Sequence, residues 1–249
     1  MIRKISESFE LTEIWSLTFI SFGIRSVALD IFKYDVYRGP NIGVYISVND
    51  SYVLVPMGFA ETKAEKLGNY LDVKPLFCSI ANTRLLGSLL VMNNHGMLLP
   101  TTAYLEEYDY FKKETGLEVG VLDSKYTALG NVICANDKGA IVSPWLSRDD
   151  VDTIKQILDV EVVQKRISGM NQVGSVLVAN NSGAVIHPEA DEEDMKMFAN
   201  VLGVKIEHAT INNGIPYVKS GVLANNNAVV VGTLTTGPEI MMLTRAFLN

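Results

Sequence analysis

Five side chains hold most of what this sequence could use for covalent or metal chemistry: Cys78, Cys134, His95, His187 and His208. A cysteine attacks only as its thiolate, and it needs a histidine or another base beside it to manage protons. The surroundings of these residues point elsewhere. Cys134 lies between Ile133 and Ala135 in an apolar run, where alternation leaves its facing open and an inert strand thiol is expected. Cys78 follows Phe77 in a run of the same kind, and His187 precedes Pro188 where a strand ends. The two cysteines have neither CxxC nor disulfide-framework spacing, so both read as buried thiols in a reducing cytoplasm. No cofactor is expected, since neither GxGxxG nor a Walker lysine pattern occurs. Three scattered histidines supply no metal site. The run Asp191-Glu192-Glu193-Asp194 suits the positive end of its own helix.

The elements that would have to position such residues follow a repeat. Gly43, Gly87, Gly130, Gly174 and Gly221 recur at intervals of 44, 43, 44 and 47 residues, and six residues beyond each stands Asn49, Asn93, Asn136, Asn180 or Asn227. Further on, Pro56, Pro100, Pro144 and Pro188 end the second strand in four of the five copies. Within a copy, the spacing predicts a short apolar strand after the glycine, then a polar turn. Asn49-Asp50, Asn93-Asn94, Asn136-Asp137, Asn180-Asn181 and Asn226-Asn227 supply the turns. Gly96, Gly139 and Gly183 then read as left-handed bulge positions before a second strand.

A helix should come next. Ala64, Leu67 and Leu71 share one face, as do Met195, Phe198 and Leu202, and Ile240, Leu243 and Phe247. Val151, Ile154, Ile157 and Leu158 make a fourth stripe, and all four read as core. Thr62 with Glu65, and Thr236 with Glu239, read as capping boxes. A third strand completes copies one to four; the fifth lacks one, and residues 31–38 (IFKYDVYR) should pair with it and fasten a ring. The predicted class is α+β: five ββαβ units of about 44 residues, closed around a pseudo-fivefold axis as one domain over residues 31–249. A closed ring would hide its sheet edges, so a monomer is expected.

Bulk properties limit the partners. With 48% apolar and 20% charged residues in 249, the chain reads as globular. Its net charge of −7 lacks the broad basic field of a general RNA binder, and fits a basic protein partner with a small RNA contact. The apolar stretch at residues 14–24 is too short to span a bilayer, and Glu7, Glu10 and Glu13 precede it. Residues 1–30 are therefore read as an N-terminal extension outside the domain.

Four stretches then carry a resemblance: LLGSLLVMNNHGMLLP (85–100), TALGNVICANDKGAIVSP (127–144), VGSVLVANNSGAVIHP (173–188) and TTGPE (235–239). In this order and spacing they resemble the archaeal and eukaryotic translation initiation factor 6 family, whose fold is the pentein-type five-bladed α/β propeller. The resemblance implies a non-enzymatic factor of the cytoplasm. It would bind the large ribosomal subunit on the intersubunit face, touching ribosomal proteins near the sarcin–ricin loop with limited rRNA contact. It would thereby keep the small subunit off and serve in initiation and large-subunit maturation. By the same resemblance Asn131, His95 and Asn93 are the candidate ribosome contacts, although Asn93 also belongs to the repeated turn set. Ser88 and Asn94 stand where eukaryotic members carry arginine. The alternative is a pentein enzyme acting on guanidino groups. Such enzymes place their cysteine in the last copy, and residues 221–249 contain neither cysteine nor histidine.

Overall fold

The structure is a computed structural model that describes residues 30–247. The expected extension therefore lies outside the described residues, except for Asp30. The chain enters on β1 (Asp30–Tyr34). Repeat one runs α1 (Ile42–Tyr45), β2 (Ser47–Val48), β3 (Tyr52–Pro56), α2 (Glu61–Leu71) and β4 (Lys74–Cys78). Repeat two runs α3 (Leu86–Leu89), β5 (Val91–Met92), β6 (Gly96–Pro100), α4 (Leu105–Thr115) and β7 (Glu118–Leu122). Repeat three runs α5 (Leu129–Val132), β8 (Ile133–Ala135), β9 (Gly139–Val142), α6 (Arg148–Leu158) and β10 (Glu161–Gln164). Repeat four runs α7 (Val173–Val176), β11 (Leu177–Ala179), β12 (Gly183–Ile186), α8 (Glu192–Leu202) and β13 (Lys205–His208). Repeat five runs α9 (Val218–Gly221), β14 (Val222–Ala224), β15 (Ala228–Gly232) and α10 (Gly237–Phe247).

Each repeat makes a three-stranded sheet whose middle strand pairs antiparallel with the strand before it and parallel with the strand after the helix. Repeat five borrows its outer strand. β1 pairs parallel with β15 over Asp30↔Ala228 to Tyr34↔Gly232. The closing strand expected at residues 31–38 is thus present but shorter, because Tyr37 and Arg38 take left-handed conformations in the turn that follows. The result is the pentein-type propeller.

The apolar cores lie between blades. Leu54 and Leu76 of repeat one pack with Leu90 and Phe111 of repeat two, and Leu223 and Val230 of repeat five pack with Val53 and Leu67 of repeat one. A single repeat would leave its helix half covered, so the circle must complete for any blade to bury its stripe. The four predicted stripes face these cores. α4 carried no readable stripe, since only Phe111 of that helix is buried.

Three local readings need correction. What reads as the opening strand of each copy begins as a single helical turn, α1, α3, α5, α7 or α9, leaving only two or three residues for the strand. Gly96, Gly139 and Gly183 do not adopt positive φ; a Cβ there would lie 1.9, 2.2 and 1.9 Å from the carbonyl oxygens of Ile157, Val201 and Ala246. They are glycine because the next blade's helix passes too close. The box at Thr62 does not form, since α2 is preceded by Ala60 with no side-chain cap.

The Thr236–Glu239 pair does form, and extends further. Glu239 accepts from the Thr236 N–H and hydroxyl, the Thr210 hydroxyl, and the N–H groups of Asn213 and Gly214, at 2.7–3.1 Å. Asn213 and Gly214 are left-handed turn residues, so one carboxylate caps α10 and steadies the turn leading into α9. Burial pushes its pKa up, but the Thr236, Gly214 and Thr210 hydrogen bonds outweigh burial and hold it at about 2. Because the folded value lies below the ordinary one, this stabilisation is present above pH 4.5 and fades as pH falls towards 2. Glu239→Gln should flatten acid unfolding across that window, removing about 2 kcal/mol of stability at neutral pH; chemical denaturation at several pH values would show it.

Candidate functional site

The fivefold axis has two mouths of different chemistry. At the hairpin mouth the turn asparagines close a circle of hydrogen bonds. The Nδ2 of Asn49 donates to Asn93 O, Asn93 to Asn136 O, Asn136 to Asn180 O, Asn180 to Asn225 O, and Asn225 back to Asn49 O, at 2.8–3.2 Å. The amides of Asn93, Asn136 and Asn225 also donate to Leu158 O, Leu202 O and Leu71 O. Those are the last carbonyls of α6, α8 and α2, which the helices themselves leave unsatisfied. A second belt lies beside the first. Asp50, Asn94, Asp137, Asn181 and Asn226 each accept the backbone N–H of a neighbouring repeat's belt residue.

The fifth member of the asparagine circle is therefore Asn225. The Asn227 expected from the spacing is exposed, and its side chain donates to Leu71 O at 3.2 Å. Shifting the register by two residues also moves the fifth axial position from Gly221 to Lys219, 45 residues after Gly174. Gly87, Gly130 and Gly174 each approach the preceding repeat's glycine carbonyl so closely that a Cβ would sit 2.1–2.4 Å from it; Gly43 faces Lys219 O at 1.9 Å. Four repeats meet at the axis through bare backbone, and the fifth inserts a lysine.

Around this constriction are two cavities. One, of about 80 Å³, runs inside the ring and is lined by Gly130, Gly174, Cys134, Lys219 and the two polar belts. The other opens at the helix mouth, lined by Gly43, Val44, Ser88, Asn131, Ser175, Tyr217, Lys219 and Ser220. Asn131 is half-buried there, and its side chain makes no hydrogen bond among the described residues. Exposed large side chains stand on the loops of the same end: Tyr37, Leu85, Trp145 and Tyr217, the last lining the cavity with Asn131. Trp145 stacks on Tyr126 at 5.2 Å between centroids, and Arg84 lies 5.5 Å over the Tyr37 ring.

The three candidate contacts thus separate. Asn93 is buried at the hairpin mouth with its amide fully used, its oxygen accepting from His95 N and Gly96 N. His95 is exposed beside it, its Nδ1 3.3 Å from Leu158 O. Asn131 stands at the opposite end of the axis. One flat partner cannot touch both ends.

Neither thiol is poised for attack. Burial pushes the Cys134 thiol up to about 12, against smaller lowering effects from Lys219 and an Ala179 backbone hydrogen bond. Burial, aided by the Glu107 carboxylate, raises Cys78, whose Sγ donates to Val55 O. His187 is buried, with its Nδ1 accepting from Glu189 N, and burial holds its pKa below the ordinary value. His208 contacts Ala190 O through Nε2.

The residues missed in the sequence are Lys219, Tyr217, Val44, Ser175 and Ser220, which line the helix-mouth cavity with Ser88 and Asn131. The available signal was the triplet VKS at 218–220, which aligns with IGV, LGS, LGN and VGS once Asn225 is taken as the turn asparagine.

Residues 31–246 match the model of the eIF-6 family. The Translation initiation factor 6 of Nitrosopumilus maritimus is 75% identical, covering 89% of this chain and 100% of that one. That of Cenarchaeum symbiosum is 62% identical, over 88% and 99%, and that of Pyrococcus furiosus 45% identical, over 88% and 98%. Among solved structures, the N-terminal domain of ArgZ bound to a reaction intermediate is similar with a TM-score of 0.45 and 10% identity, over 68% of this chain and 67% of that one. That likeness is too remote to bear on chemistry.

Proposed function

The chain belongs to the eIF-6 family, and on that premise we propose that it binds the intersubunit face of the large ribosomal subunit and sterically keeps the small subunit from joining. It serves thereby in translation initiation and in large-subunit maturation. The observation that carries this reading is the charge and shape of the helix-mouth face. In the segments that cross it, residues 35–46, 79–90, 123–132, 165–176 and 209–221, Arg38, Arg84, Lys125, Lys165, Arg166 and Lys219 outnumber Asp35 and Asp123. The helix starts at the same end are acidic instead, with Glu61, Glu106, Asp149, Glu192 and Glu193. A chain of net charge −7 therefore offers basic cross-loops for an rRNA phosphate inside an acidic rim for basic ribosomal proteins. Exposed Tyr, Trp and Leu at the same end as Asn131 are side chains that anchor interfaces.

The protein acts in the cytoplasm as a monomer and by occupancy, with no bond made or broken. Among the described residues no helix is long and apolar enough to cross a membrane. The reason for a monomer differs from the one first expected. Each sheet keeps an outer edge, at β1, β4, β7, β10 or β13, but these strands are four or five residues long and carry Lys33, Lys74, Pro75 and Lys205. Such edges recruit a second copy poorly.

Sedimentation with purified large subunits at low magnesium tests the reading. The wild-type chain should travel with them. Asn131→Asp should weaken binding about ten- to a hundredfold without loss of fold, as expected for a central interface residue given a repelled charge. His95→Ala, at the other mouth, should bind as wild type. If His95→Ala loses binding and Asn131→Asp keeps it, the hairpin mouth is the docking face. If the wild-type chain stays at the top of the gradient, the ribosomal reading fails.

A further inference from the structure

The lysine at the axis has a consequence beyond docking. Its neighbours in the ring show that glycine suits the position, and Lys219→Gly would merely restore the repeat. Instead, repeat five carries a long cationic side chain into a place where protein surrounds it, although water reaches part of it through the channel. Such a group ordinarily has a carboxylate beside it. Among the described residues the four ion pairs are Lys63–Asp35, Lys74–Glu114, Lys165–Asp194 and Lys205–Glu207, none of them at the axis.

The carboxylates of the inner cavity do not serve either. Asp50 and Asp137 stand in the far belt, where each Oδ2 accepts from two asparagine amides: Asn94 and Asn226 for Asp50, Asn94 and Asn181 for Asp137. The helix-mouth cavity has no acidic residue in its lining. What it has are donors: the Asn131 amide and the Ser175 hydroxyl. The Ser88 and Ser220 hydroxyls also line it, each donating its one proton to a backbone carbonyl, Val44 O at 3.4 Å and Tyr217 O at 2.8 Å. Burial lowers the Lys219 amine below the usual lysine range, with Cys134 opposing; an anion beside the amine would offset that desolvation.

We propose that the axial cup formed by Lys219, Asn131 and Ser175 binds a small tetrahedral oxyanion, with inorganic phosphate as its simplest form. Lys219 supplies the charge, and the Asn131 amide and Ser175 hydroxyl supply hydrogen bonds around it. The tetrahedral shape suits donors that converge from several repeats on one axis. The cup shares Asn131 and Lys219 with the proposed docking face, and ion binding is tested on the free full-length chain without subunits.

Isothermal titration with inorganic phosphate at neutral pH and low chloride should give saturable binding of one ion per chain. The melting temperature should rise with phosphate as for any ligand of the native state. Lys219→Met and Lys219→Gly should each weaken binding about ten- to a hundredfold, the loss of a charge-assisted contact. Lys219→Gly is expected to fold, since it returns the axis to its repeat, and it keeps the test open if the methionine variant does not. Absence of saturable binding overturns the proposal. So does equal binding by wild type and both variants, which would mean an adventitious ion only. Either failure leaves the sedimentation result untouched.

Discussion

Asn225→Ala should destabilise the protein by about 3–5 kcal/mol, while Asn227→Ala should cost within about 1 kcal/mol. The contrast follows from position. Asn225 is 2% exposed; its amide donates to Asn49 O and Leu71 O, and its oxygen accepts from Asn227 N and Ala228 N at 2.9–3.2 Å. Truncation leaves the Asn49 carbonyl and two N–H groups unpaired in a site that the remaining circle keeps closed, and leaves Leu71 O with only the longer Asn227 contact. It also removes one of the links between the last repeat and the first. In a chain of this size each kcal/mol moves the melting point by roughly 2–4 °C, so a drop on the order of 10 °C is expected for Asn225→Ala. Asn225→Asp adds a second arm. It keeps the acceptor but turns both donors into a carboxylate facing two carbonyls, so it should be more damaging as pH rises through the carboxylate range. If Asn227→Ala were the costlier change, the fivefold register would belong to Gly221 and the axial lysine would lose its place.

Gly87→Ala should be destabilising by about 3 kcal/mol or more, against the usual sign of such a change in a helix. Glycine is a poor helix former, and replacing it with alanine normally helps where space allows. Here the new Cβ would lie 2.1 Å from Gly43 O and 2.4 Å from Ile46 O, both backbone atoms of the neighbouring repeat. Neither can swing aside as a side chain could, so the axial contact must open. Gly237→Ala is the matched control. It starts α10, has no positive φ, and meets nothing within 4 Å, so it should be neutral or gain up to about 1 kcal/mol. Thermal unfolding of the pair decides the matter. An unchanged melting point for Gly87→Ala would mean that the repeats do not meet backbone to backbone.

Much of the architecture was legible because it is written locally. The stripe Ala64, Leu67, Leu71 specifies a helix by its own spacing, and Pro56 ends a strand because proline cannot donate to a ladder. The absence of a third strand after α10 implied a borrowed one, and β1 supplies it. Readings went astray where a residue's reason lay in another repeat. Gly96 resembles a turn glycine, yet it is required by the α6 backbone passing at Ile157. The tract Asn225-Asn226-Asn227 offered two registers, and local pattern could not choose between them; the amide partners on Asn49 and Leu71 do.

The candidate site was legible only in part. Asn131 lies in a motif that the resemblance singled out, whereas the separation of Asn131 from His95 depends on which way each hairpin runs along the axis. By itself the sequence determined the number of repeats, their helices and hairpin turns, and the strand that closes them. Those features arise from apolar spacing and turn chemistry within a few tens of residues. Only the tertiary structure decided that four glycines touch across the axis, that Lys219 replaces the fifth, and that two mouths of unlike lining result. Each of those depends on the distance between backbones far apart in the chain, and a side-chain pattern within one repeat does not encode that distance.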